Sequence, residues 1–475
     1  MLPLFQPLAF GFLLLSCIFV ICATVGWGVY NEEILRWIPC ISISVLLAII
    51  CFYCSKKSQN YFKREILLTT SVLWLTTILL GAFPYMLVQN FDFTTSFFES
   101  ASGLTTTGIT NLKNIEQLPH SLLLWRSLSQ WLGGFGIIIF FISFLSYSNG
   151  NNKQLVMQET TFSKENFSLF DLKRYLKASS YIYIFLTIFC ALSLKYFDVS
   201  FFDAICHACT TISTGGFSNY SIGPAYFNSR HVEIILMLFM FFGGINFLFL
   251  IRIFSQKGPE IIHNSEFLSY VGFICLGTIF FCIYTHWNHF LKALFCVISF
   301  ISTTGFSLDD FSNYPPLLLS LGMGLSFIGG CSGSTSGGFK LWRFLVIIKI
   351  TLSQIEKIFH PNKIRSISVN NTLWHEQKQI EIFSFMALFL FILFVGTFLL
   401  QLFMPQLDCF SAFSTTLASL TNVGVNFTTE TAIGNPFVHF STPAKFLLTI
   451  EMLLGRLELY AILILFSNKF WRKFE

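Results

Sequence analysis

Four sixteen-residue stretches of this chain align on one another without a gap, and no other feature restricts its possible folds so strongly. Set at a common start (Phe93, Phe201, Phe290 and Cys409), they read FTTSFFESASGLTTTG, FFDAICHACTTISTGG, FLKALFCVISFISTTG and CFSAFSTTLASLTNVG. Each ends in glycine, at Gly108, Gly216, Gly305 and Gly424, with Leu104, Ile212, Ile301 or Leu420 four positions earlier. The two residues after that apolar position are Ser or Thr in every copy except at Asn422. Each glycine is followed by an apolar residue (Ile109, Phe217, Phe306, Val425) and then by Thr110, Ser218, Ser307 or Asn426. Such a repeat implies one structural unit used four times.

The solvent for these units follows from composition. Of 475 residues 54% are hydrophobic and only 11% charged, against about 25% charged in a soluble chain. Apolar runs of roughly 20 residues, enough to cross ~30 Å of hydrocarbon as helix, recur along the chain. They are continuous rather than alternating, which predicts helices and excludes a barrel. Candidate spans are 7–30, 37–53, 66–88, 121–146, 180–196, 232–254, 268–284, 382–403 and 445–466, with a tenth at 317–350 interrupted by a glycine-rich stretch at 329–338. The expected fold is all-α and integral to the membrane: two N-terminal helices (1–60) and four helix–pore-loop–helix repeats in pseudo-fourfold arrangement, at 61–150, 172–257, 264–360 and 376–475. The third repeat carries the interrupted inner helix.

Charge orients the chain. Lys56, Lys57, Lys63 and Arg64 fill one loop, Lys153, Lys164, Lys173, Arg174 and Lys177 a second, and Arg343, Lys349, Lys357, Lys363 and Arg365 a third; Lys469, Arg472 and Lys473 close the chain. The positive-inside rule makes these segments and both termini cytoplasmic. Basic residues scattered over short loops, rather than gathered in one stripe, argue against nucleic acid; the surrounding partner is membrane lipid. The thirteen cysteines sit mostly inside apolar runs and read as packing rather than as a disulfide framework, Cys51 and Cys54 included. The first apolar run starts almost at Met1 with no basic leader, so it reads as a retained helix.

Each window is an apolar and aromatic helix running into a Thr-rich end with glycine. A helix that stops halfway across a membrane leaves its last carbonyls unpaired, tolerated only where they are buried in protein or line a wet cavity. Four such ends around an axis aim four negative dipoles and four sets of carbonyls at one point, which makes a cation site. Glycine admits the positive φ that turns a carbonyl inward. The oxygens that would replace an ion's hydration shell belong to Thr106, Thr107 and Gly108; Thr214, Gly215 and Gly216; Thr303, Thr304 and Gly305; and Asn422, Val423 and Gly424. A carrier of alternating access is the competing class, but it shows twofold inverted repeats where this chain has four parallel copies.

These windows, together with LLLWRSLSQWLGGFGI at 122–137, GGCSGSTSGGFK at 329–340 and MLLGRLELY ending at Tyr460, strongly resemble the Trk-type potassium uptake proteins of the Trk/Ktr/HKT superfamily. The resemblance covers essentially the whole chain, including the two N-terminal helices that set the Trk branch apart from Ktr. It implies potassium uptake across the bacterial inner membrane, with potassium as the transported ligand and no covalently bound cofactor. It also implies a homodimer with one pore per subunit, and a cytoplasmic TrkA-type nucleotide-binding regulatory subunit. The four glycines match the family's filter glycines. The fourth window departs from the pattern, continuing Val425-Asn426 where relatives often carry Pro-Gly. In the family the loop holding Gly329, Gly330, Gly333, Gly337 and Gly338, followed by Lys340, is a gate beneath the filter. Arg456 lies well inside the last span, where a charge faces a cavity or a partner. Glu451 and Glu458 are local candidates for pairing, while the matching family position implies contact with the gate loop.

Three other patterns have weaker claims. Gly330-Cys331-Ser332-Gly333 fits the string of an intramembrane serine protease, but His360 and His375 lie in a basic loop and His439 at an outer edge, so no base is at hand. Cys206-His207-Ala208-Cys209 resembles a metal cluster but falls inside a window whose other copies lack these residues. Asp92, Glu99 and Asp203, near the expected outer mouth, either concentrate cations or stabilise helix N-termini.

Overall fold

The computed structural model describes residues 5–55, 63–146, 169–254, 264–285, 289–309, 314–360, 368–369, 372–373, 376–425 and 436–466. These are helical apart from loops and one pair of two-residue strands, Ser368–Val369 against Thr372–Leu373. Among the described residues, six stretches are long and apolar enough to cross a membrane: Phe5–Tyr30, Ile34–Cys54, Leu67–Gln89, Lys177–Tyr196, Ser265–Tyr284 and Glu376–Phe403. Polarity is distributed as lipid requires. Phe10, Leu192, Leu276 and Phe398 are exposed on the outside, while Ser and Thr side chains such as Ser100, Thr211, Ser299 and Thr415 are fully buried. Water is absent around such a molecule, so polar groups pair inward.

Two helices, α1 (Phe5–Tyr30) and α2 (Ile38–Cys54), pair with each other at the N-terminus. The rest follows one pattern, a long helix, a short helix and a second long one. The triplets are α3 (Lys63–Gln89), α4 (Phe93–Leu104) and α5 (His120–Ser146); then α6 (Leu169–Tyr196), α7 (Phe201–Ile212) and α8 (Arg230–Gly243), with α9 (Phe247–Phe254) prolonging the last. The third comprises α10 (Ser265–Tyr284), α11 (Phe290–Ile301) and α12 (Pro316–Ile328), prolonged by α13 (Leu341–Phe359). The fourth comprises α14 (Glu376–Phe403), α15 (Cys409–Leu420) and α16 (Thr442–Arg456), prolonged by α17 (Tyr460–Leu463).

The four short helices are twelve residues each and begin at the common starts of the four windows. Local chemistry fixes three of those starts. Asp92, Ser200 and Asp408 accept hydrogen bonds from the backbone N–H of Thr95, Asp203 and Ser411, N-caps worth ~1 kcal/mol each. The third short helix begins without a side-chain cap at His289.

Packing between triplets closes on itself. The second long helix of each triplet leans on the short helix of the next: α5 on α7, α8 on α11, α12 on α15, and α16 back on α4. Close passage is bought by glycine. A Cβ on Gly133 of α5 would fall on the carbonyl oxygen of Leu104, and one on Gly455 of α16 on that of Leu420, so each helix skims the last turn of its own short helix.

Two apolar runs that the sequence presents as unbroken spans are interrupted. The run 232–254 breaks at Gly244-Ile245-Asn246 between α8 and α9, and the run 445–466 breaks at Leu457-Glu458-Leu459 between α16 and α17. At the first break the freed groups find partners in the 329–338 loop. Cys331 N–H donates to Gly244 O (3.0 Å), Thr335 N–H to Gly243 O (3.3 Å), and Phe247 N–H to Gly333 O (3.2 Å). At the second, Glu458 and Leu459 adopt positive φ, and Glu458 leaves the helix to meet Arg343 at 2.6 Å.

Candidate functional site: four glycine turns and the loop beneath them

After each short helix the chain makes the same turn. Thr106, Thr214, Thr303 and Asn422 have φ of 55°, 51°, 58° and 55°, and Gly108, Gly216, Gly305 and Gly424 have φ of 85°, 75°, 80° and 78°. The backbone bonds repeat as well. Thr107, Gly215, Thr304 and Val423 donate to Ser102, Thr210, Ser299 and Ala418 at 2.9, 2.9, 2.9 and 3.0 Å. Thr106, Thr107, Thr214, Thr303, Thr304, Asn422 and Val423 are buried, whereas each glycine is partly exposed between buried neighbours. Four identical turns thus open at the same residue.

Those turns form a ring. A Cβ on Gly108 would fall on the carbonyl oxygen of Gly215, one on Gly216 on that of Thr304, one on Gly305 on that of Val423, and one on Gly424 on that of Thr107. Each glycine therefore abuts the carbonyl just before the next glycine, and the fourth returns to the first. Only glycine combines this approach with a positive φ. The departure in the fourth copy is accommodated locally: Asn422, a residue that tolerates positive φ, sends Nδ2 to Thr107 Oγ1 (2.9 Å) and to Met452 O (2.9 Å). Asn426, the second residue of that departure, lies outside the described residues.

Residues that sequence reasoning missed brace the ring from behind. Gln130 of α5 straddles Gly216, with Nε2 donating to Gly215 O (2.6 Å) and Oε1 accepting from Phe217 N–H (3.0 Å). Arg126, one turn earlier, donates to Ser218 O (3.0 Å), lies 4.2 Å over the Phe217 ring and approaches Glu99 at 3.6 Å. Glu99, expected near the outer mouth, is fully buried against the segment that follows Gly108. Its Oε1 accepts from Thr110 Oγ1 and from Asn111 N–H (2.7 Å). His207 occupies the same seventh window position and holds the equivalent Ser218, with Nε2 3.0 Å from its Oγ. The signal was available in that column of the aligned windows, where both residues face the segment descending from a glycine.

Asp203 is likewise committed, taking hydrogen bonds from Ser200 Oγ (2.6 Å), Asn219 Nδ2 (2.8 Å) and Tyr220 OH (2.9 Å). Partial burial opposes ionisation of Asp92, but hydrogen bonds from Thr94 and Thr95 prevail and hold its carboxyl at about 2. In the connection after the first turn Glu116 accepts from Ser221 N–H (2.6 Å) and Ser221 Oγ (2.9 Å). Burial works against its ionisation too, and the bonds from Ser221 again win, keeping Glu116 below the ordinary carboxylate range. The acidic residues here are structural braces.

The glycine-rich loop bonds to the second, third and fourth triplets. Gly337 N–H donates to Thr303 Oγ1 (2.6 Å) and Gly338 N–H to Thr421 O (2.9 Å), while Thr335 Oγ1 bridges Ile212 O (2.9 Å) and Gly243 O (3.0 Å). Arg456 spans the remaining gap: Nη1 donates to Thr335 O (2.8 Å) and Nη2 to Gly133 O (3.0 Å) of the first triplet. Of the two acids near it in sequence, Glu458 pairs with Arg343 and Glu451 with neither. Gly329, Gly333 and Gly338 turn the loop with φ of 72°, 65° and 78°, and Gly330 packs against Ser336 and Gly244 O. Lys340 Nζ donates to Ser336 O. Lys340, Arg343, Arg456 and Glu458 border a cavity of about 20 Å³, room for one water. Ser332 donates N–H (2.6 Å) and Oγ (3.2 Å) to the buried Glu266 of α10, an anchor the sequence did not suggest. No group of three or more potential metal ligands of the His, Cys, Asp and Glu type is present among the described residues.

Comparison with known proteins agrees with this architecture. The family model TrkH, described as a cation transport protein, matches residues 37–280 and 275–473. The Trk system potassium uptake protein TrkH of Salmonella typhimurium is 31% identical over 91% of either chain. TrkG of Escherichia coli is 30% identical over 89% of this chain and 88% of its own. The crystal structure of the potassium transporter TrkH from Vibrio parahaemolyticus superposes with a TM-score of 0.88 at 27% identity, covering 99% of both chains. The chain belongs to the TrkH family of cation transport proteins, whose Trk members are transporters and not enzymes.

Proposed function

We propose that this protein takes up potassium through the ring of four glycine turns, which is its selectivity filter. The observation that carries the reading is the closure of the ring, each glycine against the carbonyl preceding the next. Carbonyls of Thr106, Thr107 and Gly108, Thr214, Gly215 and Gly216, Thr303, Thr304 and Gly305, and Asn422, Val423 and Gly424 replace the water around a dehydrated cation. The short helices are re-entrant pore helices whose C-terminal dipoles favour that cation. Relatives named potassium uptake proteins support potassium as the cargo.

The loop at 329–338 is the gate. It bonds to residues at the ends of three pore helices, and Arg456 latches it to the first triplet. Lys340 fixes its lower end. The molecule crosses the bacterial inner membrane ten times, through α1, α2, α3, α5, α6, α8–α9, α10, α12–α13, α14 and α16–α17, with both termini in the cytoplasm. It works as a homodimer with one pathway per subunit, and a cytoplasmic TrkA-type nucleotide-binding subunit moves the loop. Expression in a bacterium lacking its own potassium uptake systems tests the cargo. Growth on low potassium is expected; failure to grow with the protein inserted at normal level contradicts the reading.

A further inference from the structure

Position seven of the four windows reads Glu99, His207, Cys296 and Thr415, all buried. Only the first is an acid, and it is matched by a cation from another helix. Glu99 Oε2 faces Nε of Arg126 on α5 at 3.6 Å, with the two side chains 0% and 1% exposed. Neither of these two atoms has a hydrogen-bond partner, so each charge is answered by the other. A buried ion pair adds little stability over apolar packing of the same volume. What it does supply is a fixed distance between the segments it holds.

Those segments belong to different quadrants of the ring. Glu99 Oε1 accepts from Thr110 Oγ1 and from Asn111 N–H (2.7 Å), on the segment leaving Gly108. Arg126 Nη1 donates to Ser218 O (3.0 Å) and its guanidinium lies 4.2 Å over the Phe217 ring, on the segment leaving Gly216. The sequence of contacts Asn111–Glu99–Arg126–Ser218 therefore joins the first quadrant to the second, next to the place where Gly108 abuts Gly215 O. Gln130, one turn further along α5, extends the same grip to Gly215 and Phe217. Other braces differ. Lys292 and Asp309 pair at 2.7 Å, but both are partly exposed and belong to the third quadrant. Ser299 Oγ donates to Phe306 O (2.7 Å) within that same quadrant, and Asn422, which does cross to Thr107 Oγ1 (2.9 Å), is neutral. Discrimination against a smaller cation requires that carbonyls of adjacent quadrants do not close in on it. We infer that Glu99 and Arg126 are specificity-determining positioning residues: their ion pair fixes the spacing of the first and second quadrants, and breaking it removes potassium preference independently of its effect on folding.

The inference rests on the filter reading, and its test keeps the two apart. The full chain is reconstituted in liposomes, competitive uptake of potassium against sodium is measured, and the thermal midpoint of each variant is recorded. Glu99→Gln, which keeps an acceptor for Asn111 N–H, and Arg126→Gln each leave one buried charge without its partner. Both should melt earlier and lose potassium preference by about tenfold, the order expected for one charge-assisted hydrogen bond. The double variant restores charge balance. It is expected to regain thermal stability relative to either single variant yet to keep their loss of preference, an outcome that a merely structural pair would not give. Wild-type preference in either single variant, or its return in the double variant, overturns the inference. Should these three not insert, Arg126→Lys decides, since it keeps the charge beside Glu99 but not the planar fork that also reaches Ser218 O. Reduced preference in that variant upholds the inference; wild-type preference, or failure of this variant to insert as well, overturns it. A Gly216→Ser control that keeps wild-type preference places the filter elsewhere and overturns the filter reading, and the inference with it.

Discussion

Gln130 shows how a single side chain sets the geometry of a turn made by another part of the chain. Its amide is matched to both sides of Gly216, an acceptor for Phe217 N–H and a donor for Gly215 O. Replacing it with Leu strands a buried N–H and a buried carbonyl, which costs about 1–3 kcal/mol. Gln130→Leu should therefore lower the thermal midpoint of the purified protein and weaken discrimination against sodium. A Leu variant with wild-type melting and wild-type selectivity would remove Gln130 from the filter's support. The glycines themselves were legible because four copies constrained one another. Gln130 was not, since a lone amide in an apolar run carries no sign of the turn it will meet from residues 85 and 87 positions away.

At the scale of elements, the four short helices begin at the window starts the alignment gives, and three of those starts also carry a side-chain N-cap. The break between α8 and α9 was not legible in this way. Gly243-Gly244-Ile245-Asn246 is brief and mild in hydropathy, and its freed backbone groups are satisfied by Cys331, Gly333 and Thr335 from the next triplet. A span can afford such an interruption only where tertiary partners replace its lost helical bonds, and those partners are invisible in a local window. The same bonds make the 329–338 loop an element that must let go of several helices at once to move. Shortening it by several residues should raise potassium uptake, or make uptake less dependent on the regulatory subunit, with the ring left intact. A shortened protein that inserts normally but transports nothing would mean that the loop supports the pathway rather than closes it.

For the whole molecule, the second long helix of each triplet meets the short helix of the next, α5 to α7, α8 to α11, α12 to α15 and α16 to α4, a closed cycle whose order the repeat did not give. Orientation in the membrane rests on charge: the basic stretch 149–177, part of which lies outside the described residues, should resist an impermeant thiol reagent applied from outside to an engineered cysteine. Efficient labelling there would invert the topology. The central claim is that Gly108, Gly216, Gly305 and Gly424 are four quadrants of one filter. Its most direct test is competitive uptake of potassium against sodium by purified, reconstituted protein carrying each glycine singly replaced by serine. Every added Cβ would strike a neighbouring carbonyl and turn or displace it, so all four variants should insert and lose potassium preference, with the smallest loss at Gly424, where the following Val425-Asn426 departs from the family pattern. Four inserted variants with wild-type preference would contradict the account.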